Sequence, residues 1–243
     1  MNLVIDVGNT YIKIGVFDTS SMVYKETIEP QGFSGFIDKV KEDYPAIKNA
    51  ILSSVSNISK EDVNKISSFF NTLILDHTLK IPFENLYTTP TTLGVDRIAL
   101  VAAAVDQYPK KNTLIIDAGT CITYDFKNNK EQYLGGAIAP GIRLRYASLN
   151  NYTANLPLLE TKIPENYIGD STEKSIHSGV VNGILCEIDG VIAQYCNTYN
   201  DLTVILTGGD AHFLSNRLKN SIFATSNFLL EGLNYILAFN NSQ

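Results

Sequence analysis

Two carboxylates in this chain stand at the ends of apolar runs, and each is followed by a glycine turn. The first is Asp6, in Leu3-Val4-Ile5-Asp6-Val7-Gly8-Asn9-Thr10. The second is Asp117, in Leu114-Ile115-Ile116-Asp117-Ala118-Gly119-Thr120, 111 residues later. An apolar run of strand length that stops at a carboxylate and turns through glycine leaves backbone N–H groups directed into open space. Such a turn suits phosphate oxygens, and the carboxylate suits a cation beside them. Either turn alone could simply close a hairpin with Asx chemistry. Its recurrence argues for two related halves facing one nucleotide-binding cleft. Gly8, Asn9 and Thr10 would cradle the β- and γ-phosphates, with Lys13 a point charge against them. Asp6 would orient Mg²⁺ through water, because Mg²⁺ gives up its hydration reluctantly.

A third carboxylate, Asp96, lies in Gly94-Val95-Asp96-Arg97 at the start of a helical pattern. An acidic residue in a first turn is expected from the helix dipole alone, and Arg97 could do no more than pair with a neighbouring carboxylate. Tyr87 is one of thirteen tyrosines and fits a core position. Thr172 reads as the N-cap of a long helix. The histidines, His77, His177 and His212, are scattered and form no motif.

The elements that must position these residues follow from periodicity. Residues 3–6 read as a buried strand, and Tyr11 to Asp18 alternates with Ile12, Ile14 and Val16 on one face and Lys13 on the other, which predicts a hairpin. A helix around Phe36, Ile37 and Val40, a strand from Ala50 to Val55, a helix opened by Ser59 with Asp62 three residues on, and a strand from Thr72 to Leu75 follow. Thr92 to Tyr108 is helical. The second half repeats the scheme, with a strand into Asp117 and a hairpin partner from Cys121 to Phe126. Gly135-Gly136 to Gly141 reads as a flexible phosphate-side or hinge segment. A short helix near Leu144 to Leu149 precedes a long one from Thr172 with Ile176, Val180, Ile184, Ile188, Val191 and Tyr195 at helical spacing. A strand from Leu202 to Leu206 ends in Thr207-Gly208-Gly209-Asp210, and a last apolar helix runs from Leu229 to Phe239. The pattern is α/β, with two domains of mixed sheet, residues 1–110 and 111–243.

Composition narrows the class. With 44% hydrophobic and 18% charged residues, the 243-residue chain reads as ordinary and globular. A net charge of −6, with no Lys/Arg cluster, argues against a nucleic-acid binder and requires a local cation for any polyanionic ligand. Three cysteines without CxxC spacing indicate neither a disulfide framework nor a zinc site and point to a reduced, cytoplasmic protein. No leader is expected ahead of the first strand, and no apolar run reads as membrane-spanning.

With these pieces in place, the chain resembles the type III pantothenate kinases of the actin-like ATPase superfamily, which also holds acetate and sugar kinases and Hsp70. Asp6 to Thr10 is similar to the first phosphate motif, Asp117 to Thr120 to the second, and Thr207 to Asp210 to the adenosine motif. The family is indicated by Gly94 to Arg97, Gly135 to Gly141, Thr153-Ala154-Asn155-Leu156-Pro157 and Thr172 through Ser178-Gly179, in this order. Asp170-Ser171 and Cys121 depart from the usual pattern, the first leaving the approach to Thr172 less defined.

The resemblance implies two ribonuclease H-like domains, each a mixed sheet flanked by helices, and ATP-dependent phosphorylation of pantothenate on the way to coenzyme A. It extends the ATP contacts to Asp6, Val7, Gly8, Asn9, Thr10, Tyr11, Ile12, Lys13 and Thr120. It places pantothenate against Tyr87, Gly94, Val95, Asp96, Arg97 and Thr172, with Asp96 as the base. It gives Asp117 a monovalent cation, K⁺ or NH₄⁺, and implies a homodimer with the substrate site at or near the interface. Other small-molecule kinases of the superfamily, and a non-catalytic ATP-binding regulator related to transcription accessory factors, are the alternative readings.

Overall fold

The structure, a computed structural model, describes residues 1–8, 10–54 and 58–241. Asn9, and Val55 at the end of the strand expected over Ala50–Val55, lie outside the described residues.

The chain forms two compact units: Met1–Pro109 with Glu131–Tyr133 and Asn227–Gln243, and Lys110–Lys130 with Leu134–Ser226. In the first, strands β1 (Asn2–Val7), β2 (Ile12–Asp18), β3 (Ser21–Ile28), β4 (Asn49–Ser54) and β5 (Asn71–Ile74) form a sheet of order β3-β2-β1-β4-β5. β1 and β2 pair antiparallel, whereas β4 joins β1 and β5 joins β4 in parallel. Period-two alternation sends Leu3, Ile5 and Val7 of β1, Ile12, Ile14 and Val16 of β2, and Ala50 and Leu52 of β4 into one core with Phe33, Ile37 and Val40 of helix α1 (Phe33–Asp43) and Ile66 of α2 (Lys60–Phe69). Ser59 caps α2 as expected, its Oγ accepting from the Asp62 N–H at 3.0 Å.

The opposite face is covered by α3 (Val95–Gln107) and α8 (Phe228–Asn241). The last helix, in sequence part of the second half, therefore groups with the first unit. Arg97 to Val105 of α3 are all buried, Ala99, Ala102, Ala103 and Ala104 included, which allows close helix–helix approach.

The second unit repeats the topology. β7 (Thr113–Ala118), β8 (Cys121–Lys127), β9 (Gln132–Pro140), β10 (Thr203–Thr207) and β11 (Phe223–Ala224) run in the order β9-β8-β7-β10-β11. Again the central strand has an antiparallel hairpin partner on one side and a parallel strand on the other. The first residues of β9 belong to the first unit, where they pair with the two-residue strand β6 (Glu84–Asn85). The core side of this sheet, with Leu114, Ile116, Ala118, Ile122, Tyr124 and Leu206, packs on α4 (Ile142–Asn151), α5 (Thr172–His177), α6 (Gly183–Thr198) and α7 (Ala211–Ser215).

Four expectations are corrected. The segment Gly135–Pro140 is no hinge: it is strand, and Gly136 lies so close to the Tyr124 carbonyl of β8 that a side chain would not fit. The long helix from Thr172 is interrupted by a π-helical turn over Ser178–Asn182. The segment Thr172–Thr198 is long and apolar enough to cross a membrane by length and composition, contrary to the sequence reading. Here, however, Ile176, Val180, Ile184, Ile188 and Ile192 are packed into the core, as in a core helix of a water-exposed protein. Finally, Thr172 is not the cap of that helix: Ser171 is, its Oγ accepting from Lys174 N–H at 3.3 Å.

Candidate functional site

Each strand-end aspartate lies on the sheet face away from the α1/α2 or α4–α7 core. In β1, with Leu3, Ile5 and Val7 turned into the core, Val4 and Asp6 take the other face. The register pairs Asp6 with Lys13 on β2 and with Ser53 on β4. A row of Lys13, Asp6 and Ser53 thus crosses three strands. The second unit has the corresponding row, with Asp117 between Thr123 on β8 and Thr207 on β10. Asp6 is 5% exposed, whereas Asp117 is half-buried beside the buried Thr207.

Both turns close on their glycine, the second with one residue fewer than the first. The Gly8 N–H donates to the Tyr11 carbonyl at 3.1 Å, and the Gly119 N–H to the Cys121 carbonyl at 2.9 Å. Thr10 and Tyr11 are exposed at the first turn, whereas Val7 and Ile12 have side chains in the core, so that only their backbones face the turn. Thr120 is exposed at the second turn, and its carbonyl accepts from Gly141 N–H at 3.0 Å.

Behind the second turn sits the Thr207-Gly208-Gly209-Asp210 segment. Gly208 has φ +95°, a conformation that L side chains rarely adopt, and a Cβ there would stand 2.3 Å from both the Ala118 carbonyl oxygen and Asp117 Oδ1. Asp210 donates its N–H to the same Ala118 carbonyl at 2.9 Å. The adenosine-like motif is therefore built directly against the Asp117 turn. Burial raises the Asp210 carboxyl above the ordinary carboxylate range, and Arg143, 3.4 Å away, partly offsets this.

The residues present fit the two kinds of cation the sequence implied. Thr123 Oγ1 is buried with no hydrogen-bond partner among the described residues, and it lies across from Asp117. One carboxylate between two hydroxyl side chains is an all-oxygen set, the ligand type that hard cations take. At Asp6, a single carboxylate suits Mg²⁺ that keeps waters and phosphate oxygens as its other ligands. Among the described residues, no cluster of three or more His, Cys, Asp or Glu stands ready to hold a metal by itself.

A cation that sequence reasoning missed is Lys25, on the edge strand β3. It pairs in register with Gly15, two residues along from Lys13, and its Nζ donates to Asn227 Oδ1 at 2.7 Å. Partial burial, then the neighbouring charge of Lys13, lowers its ammonium below the usual range. Lys13 stands in register with Asp6, and Lys25 lies close enough to Lys13 for their charges to interact, with Glu231 as a countercharge.

In the first unit, Asp96 lies in the first turn of α3. Its Oδ1 accepts from the Arg97 N–H at 2.8 Å, which fixes the carboxylate against the helix N-terminus. Gly94 precedes it with ordinary extended angles, φ −58° and ψ 133°, yet a Cβ there would lie 2.4 Å from Asp96 Oδ1. The glycine is needed for the carboxylate's position, not for the backbone. Arg97 is 5% exposed, with its guanidinium 5.7 Å from the centre of the Tyr87 ring. Tyr87 in turn stacks on Tyr133 at 6.0 Å. The structure thus brings Tyr87, Gly94, Asp96 and Arg97 together.

Thr172, released from capping, lines a cavity of about 670 Å³ in the second unit with Arg145, Ser148, Leu156 and Ile176. Arg145 is held there by Glu187 at 2.6 Å, which also accepts from the Tyr124 hydroxyl at 2.9 Å. His177 is buried and bonded to the Tyr146 hydroxyl at 2.8 Å, a satisfied core histidine.

A family model described as type III pantothenate kinase matches residues 2–194. Among relatives described by that name, one from Christiangramia forsetii is 54% identical over 243 residues, covering 100% of both chains. One from Flavobacterium johnsoniae is 51% identical with 96% of each chain covered, and one from Bacteroides fragilis 42% identical with 100% covered. Among solved structures, a Campylobacter jejuni protein assigned to the Baf family of transcriptional activators aligns with TM-score 0.67 at 22% identity, over 99% of this chain and 100% of its own. A glucokinase from an Antarctic psychrotroph aligns with TM-score 0.54 at 14% identity, over 98% of each chain. At such identities the likeness carries the fold, that of the actin-like ATPases and related sugar kinases, and nothing finer.

Proposed function

The chain belongs to the type III pantothenate kinase family, and we propose that three aspartates, Asp6, Asp96 and Asp117, divide the work of its phosphoryl transfer. The reaction is ATP-dependent phosphorylation of pantothenate to 4′-phosphopantothenate, the first step of coenzyme A biosynthesis. As an ATP-using kinase it takes Mg²⁺ with the nucleotide.

In this reading, ATP is contacted by the run from Asp6 to Lys13, Asn9 included, and by Thr120. The turn N–H groups bind phosphate oxygens, and Lys13 with Lys25 balances their charge. When bound, Mg²⁺ supplies neutralisation of charge on the β- and γ-phosphate oxygens, and Asp6 orients its waters. Pantothenate's carboxylate is held by Arg97, with Tyr87, Gly94 and Val95 around it and Thr172 supplying a further contact. Its primary hydroxyl points at the Asp96 carboxylate. As the oxygen attacks, the new O–P bond forms while the bond from the γ-phosphorus to the β,γ-bridging oxygen breaks. ADP leaves with that electron pair, and the hydroxyl proton passes to Asp96. A loose transition state needs little activation of the nucleophile, so Asp96 acts chiefly by orienting the hydroxyl and accepts the proton late.

Asp117, with the hydroxyls of Thr123 and Thr207 beside it, holds a monovalent cation, K⁺ or NH₄⁺. The enzyme works as a cytoplasmic homodimer in which Thr172 meets substrate at or near the interface. The observation that best supports the assignment is Gly94, whose missing side chain leaves the room that the Asp96 carboxylate occupies. The test is a coupled ADP-release assay with pantothenate, glucose and acetate as acceptors, with and without K⁺. Turnover is expected with pantothenate alone and to depend on K⁺ or NH₄⁺. ATP binding without transfer to pantothenate would overturn the reading.

A further inference from the structure

The hydroxyl of Ser53 has no role in the scheme so far, and its surroundings give it one. Ser53 is 0% exposed, and its Oγ has no hydrogen-bond partner among the described residues. It stands in parallel register with Asp6, so both side chains leave the sheet on the same face, one strand spacing apart. With Ala50 and Leu52 in the α1/α2 core, Asn49, Ile51 and Ser53 take the other face. The rest of that stretch is satisfied. Ile51 pairs with Val4, and at the far end Asn49 donates to Asn2 at 3.5 Å while Asn2 donates to Asn234 at 2.9 Å. Among the described residues of β1 and β4, the buried side-chain polar atom without a partner is the Ser53 hydroxyl beside Asp6, and an unpaired buried hydroxyl is costly.

The duplicated sheet repeats the arrangement. Thr207 stands in the same parallel register to Asp117, so the topology places a hydroxyl beside the strand-end carboxylate twice. A hydroxyl both donates and accepts, so it can bridge a carboxylate to a water in a metal's hydration shell.

We propose that Ser53 is a positioning residue for Asp6, whose hydroxyl takes a partner only when magnesium and nucleotide are bound, by hydrogen-bonding a magnesium-bound water that Asp6 also orients. The proposal rests on the assignment of Asp6 above. Ser53 does not touch the reacting atoms; it holds the water shell through which Asp6 acts.

The test is Ser53→Ala, read by the melting temperature of the unliganded protein and by calorimetric ADP affinity with and without Mg²⁺. Because the hydroxyl has no partner in the unliganded chain, melting is expected to be unchanged or higher. Affinity for ADP alone is expected to match wild type, and the gain that Mg²⁺ brings to fall about tenfold, the scale of one hydrogen bond to a charged group. A variant that fails to fold or melts lower without ligand would show that the fold itself uses the hydroxyl, and would overturn the proposal. So would an undiminished Mg²⁺-dependent gain. Asp6→Asn separates the two levels: a gain lost in Asp6→Asn but kept in Ser53→Ala sinks the role of Ser53 alone. No Mg²⁺-dependent gain in wild type would sink the assignment of Asp6 and this proposal with it.

Discussion

Replacing Gly94 with alanine should separate the placement of the Asp96 carboxylate from the stability of the helix that carries it. The backbone at Gly94, φ −58° and ψ 133°, is open to any residue, so alanine brings no dihedral strain. The new Cβ would stand 2.4 Å from Asp96 Oδ1, and real Cβ contacts stop near 3.0 Å, so the carboxylate must retreat by about 0.6 Å or swing off the Arg97 N–H. Loss of that hydrogen bond costs about 0.5–1.5 kcal/mol. Alanine returns about 0.4–1 kcal/mol by narrowing the unfolded ensemble. The two nearly cancel, and Tm is expected within about 3 °C of wild type. Catalysis has no such offset. Misplacing a reacting group by about 1 Å can cost ~10²-fold, so kcat is expected to fall ~10- to 100-fold in the coupled ADP-release assay. Nucleotide affinity should hold. Wild-type kcat at unchanged Tm would refute the reasoning, for it would mean that the carboxylate's position does not matter to the reaction.

Other expectations follow from the same geometry. Gly208→Ala meets both a φ of +95° and a backbone oxygen 2.3 Å from its Cβ, so it should destabilise by about 2–4 kcal/mol and weaken K⁺ activation; an unaltered melting curve would contradict the close packing of this segment on the Asp117 turn. Asp210 has its proton affinity raised by burial, so folding favours its protonated form and its ionisation opposes folding at neutral pH. Asp210→Asn should therefore melt at the same temperature or higher at pH 7, and its advantage should shrink as pH falls through the carboxyl's raised titration range. An advantage that grows on acidification would show the opposite sign. Lys25→Met should weaken ATP binding most at low ionic strength, because its charge acts across solvent; a loss independent of salt would point to packing instead.

How much of this could be read beforehand depended on whether the signal was local. The strands into Asp6 and Asp117 were legible because continuous apolar runs stop abruptly at a carboxylate, and Lys13 could be placed opposite the Ile12/Ile14/Val16 face by alternation alone. Ser59 was legible as a cap because its partner is three residues away. Strand β3 was not, because as a sheet edge it is exposed along much of its length and lacks an apolar face strong enough to announce it, and Lys25 was missed with it. Strand β9 was hidden by Gly135 and Gly136, which look like a hinge until the backbone of β8 is beside them. Ser53 and Thr123 lie on strands that were expected, yet nothing in their local sequence marks them. Their significance comes from register, which is a property of pairing across 47 residues for Asp6 and Ser53 and is invisible along the chain. The return of α8 to the first unit has the same origin: a helix pattern shows which face is apolar, not which sheet will cover it.

The central claim is tested most directly by single-turnover and steady-state kinetics of Asp96→Asn with ATP and pantothenate, with nucleotide affinity measured alongside. The amide keeps the size of the side chain and can still accept from the Arg97 N–H, but it cannot take the hydroxyl proton. ATP affinity is expected to stay within about twofold of wild type, while kcat falls by ~10²–10⁴, the usual scale for an acid–base group. An Asp96→Asn enzyme that transfers phosphate to pantothenate at the wild-type rate would contradict it.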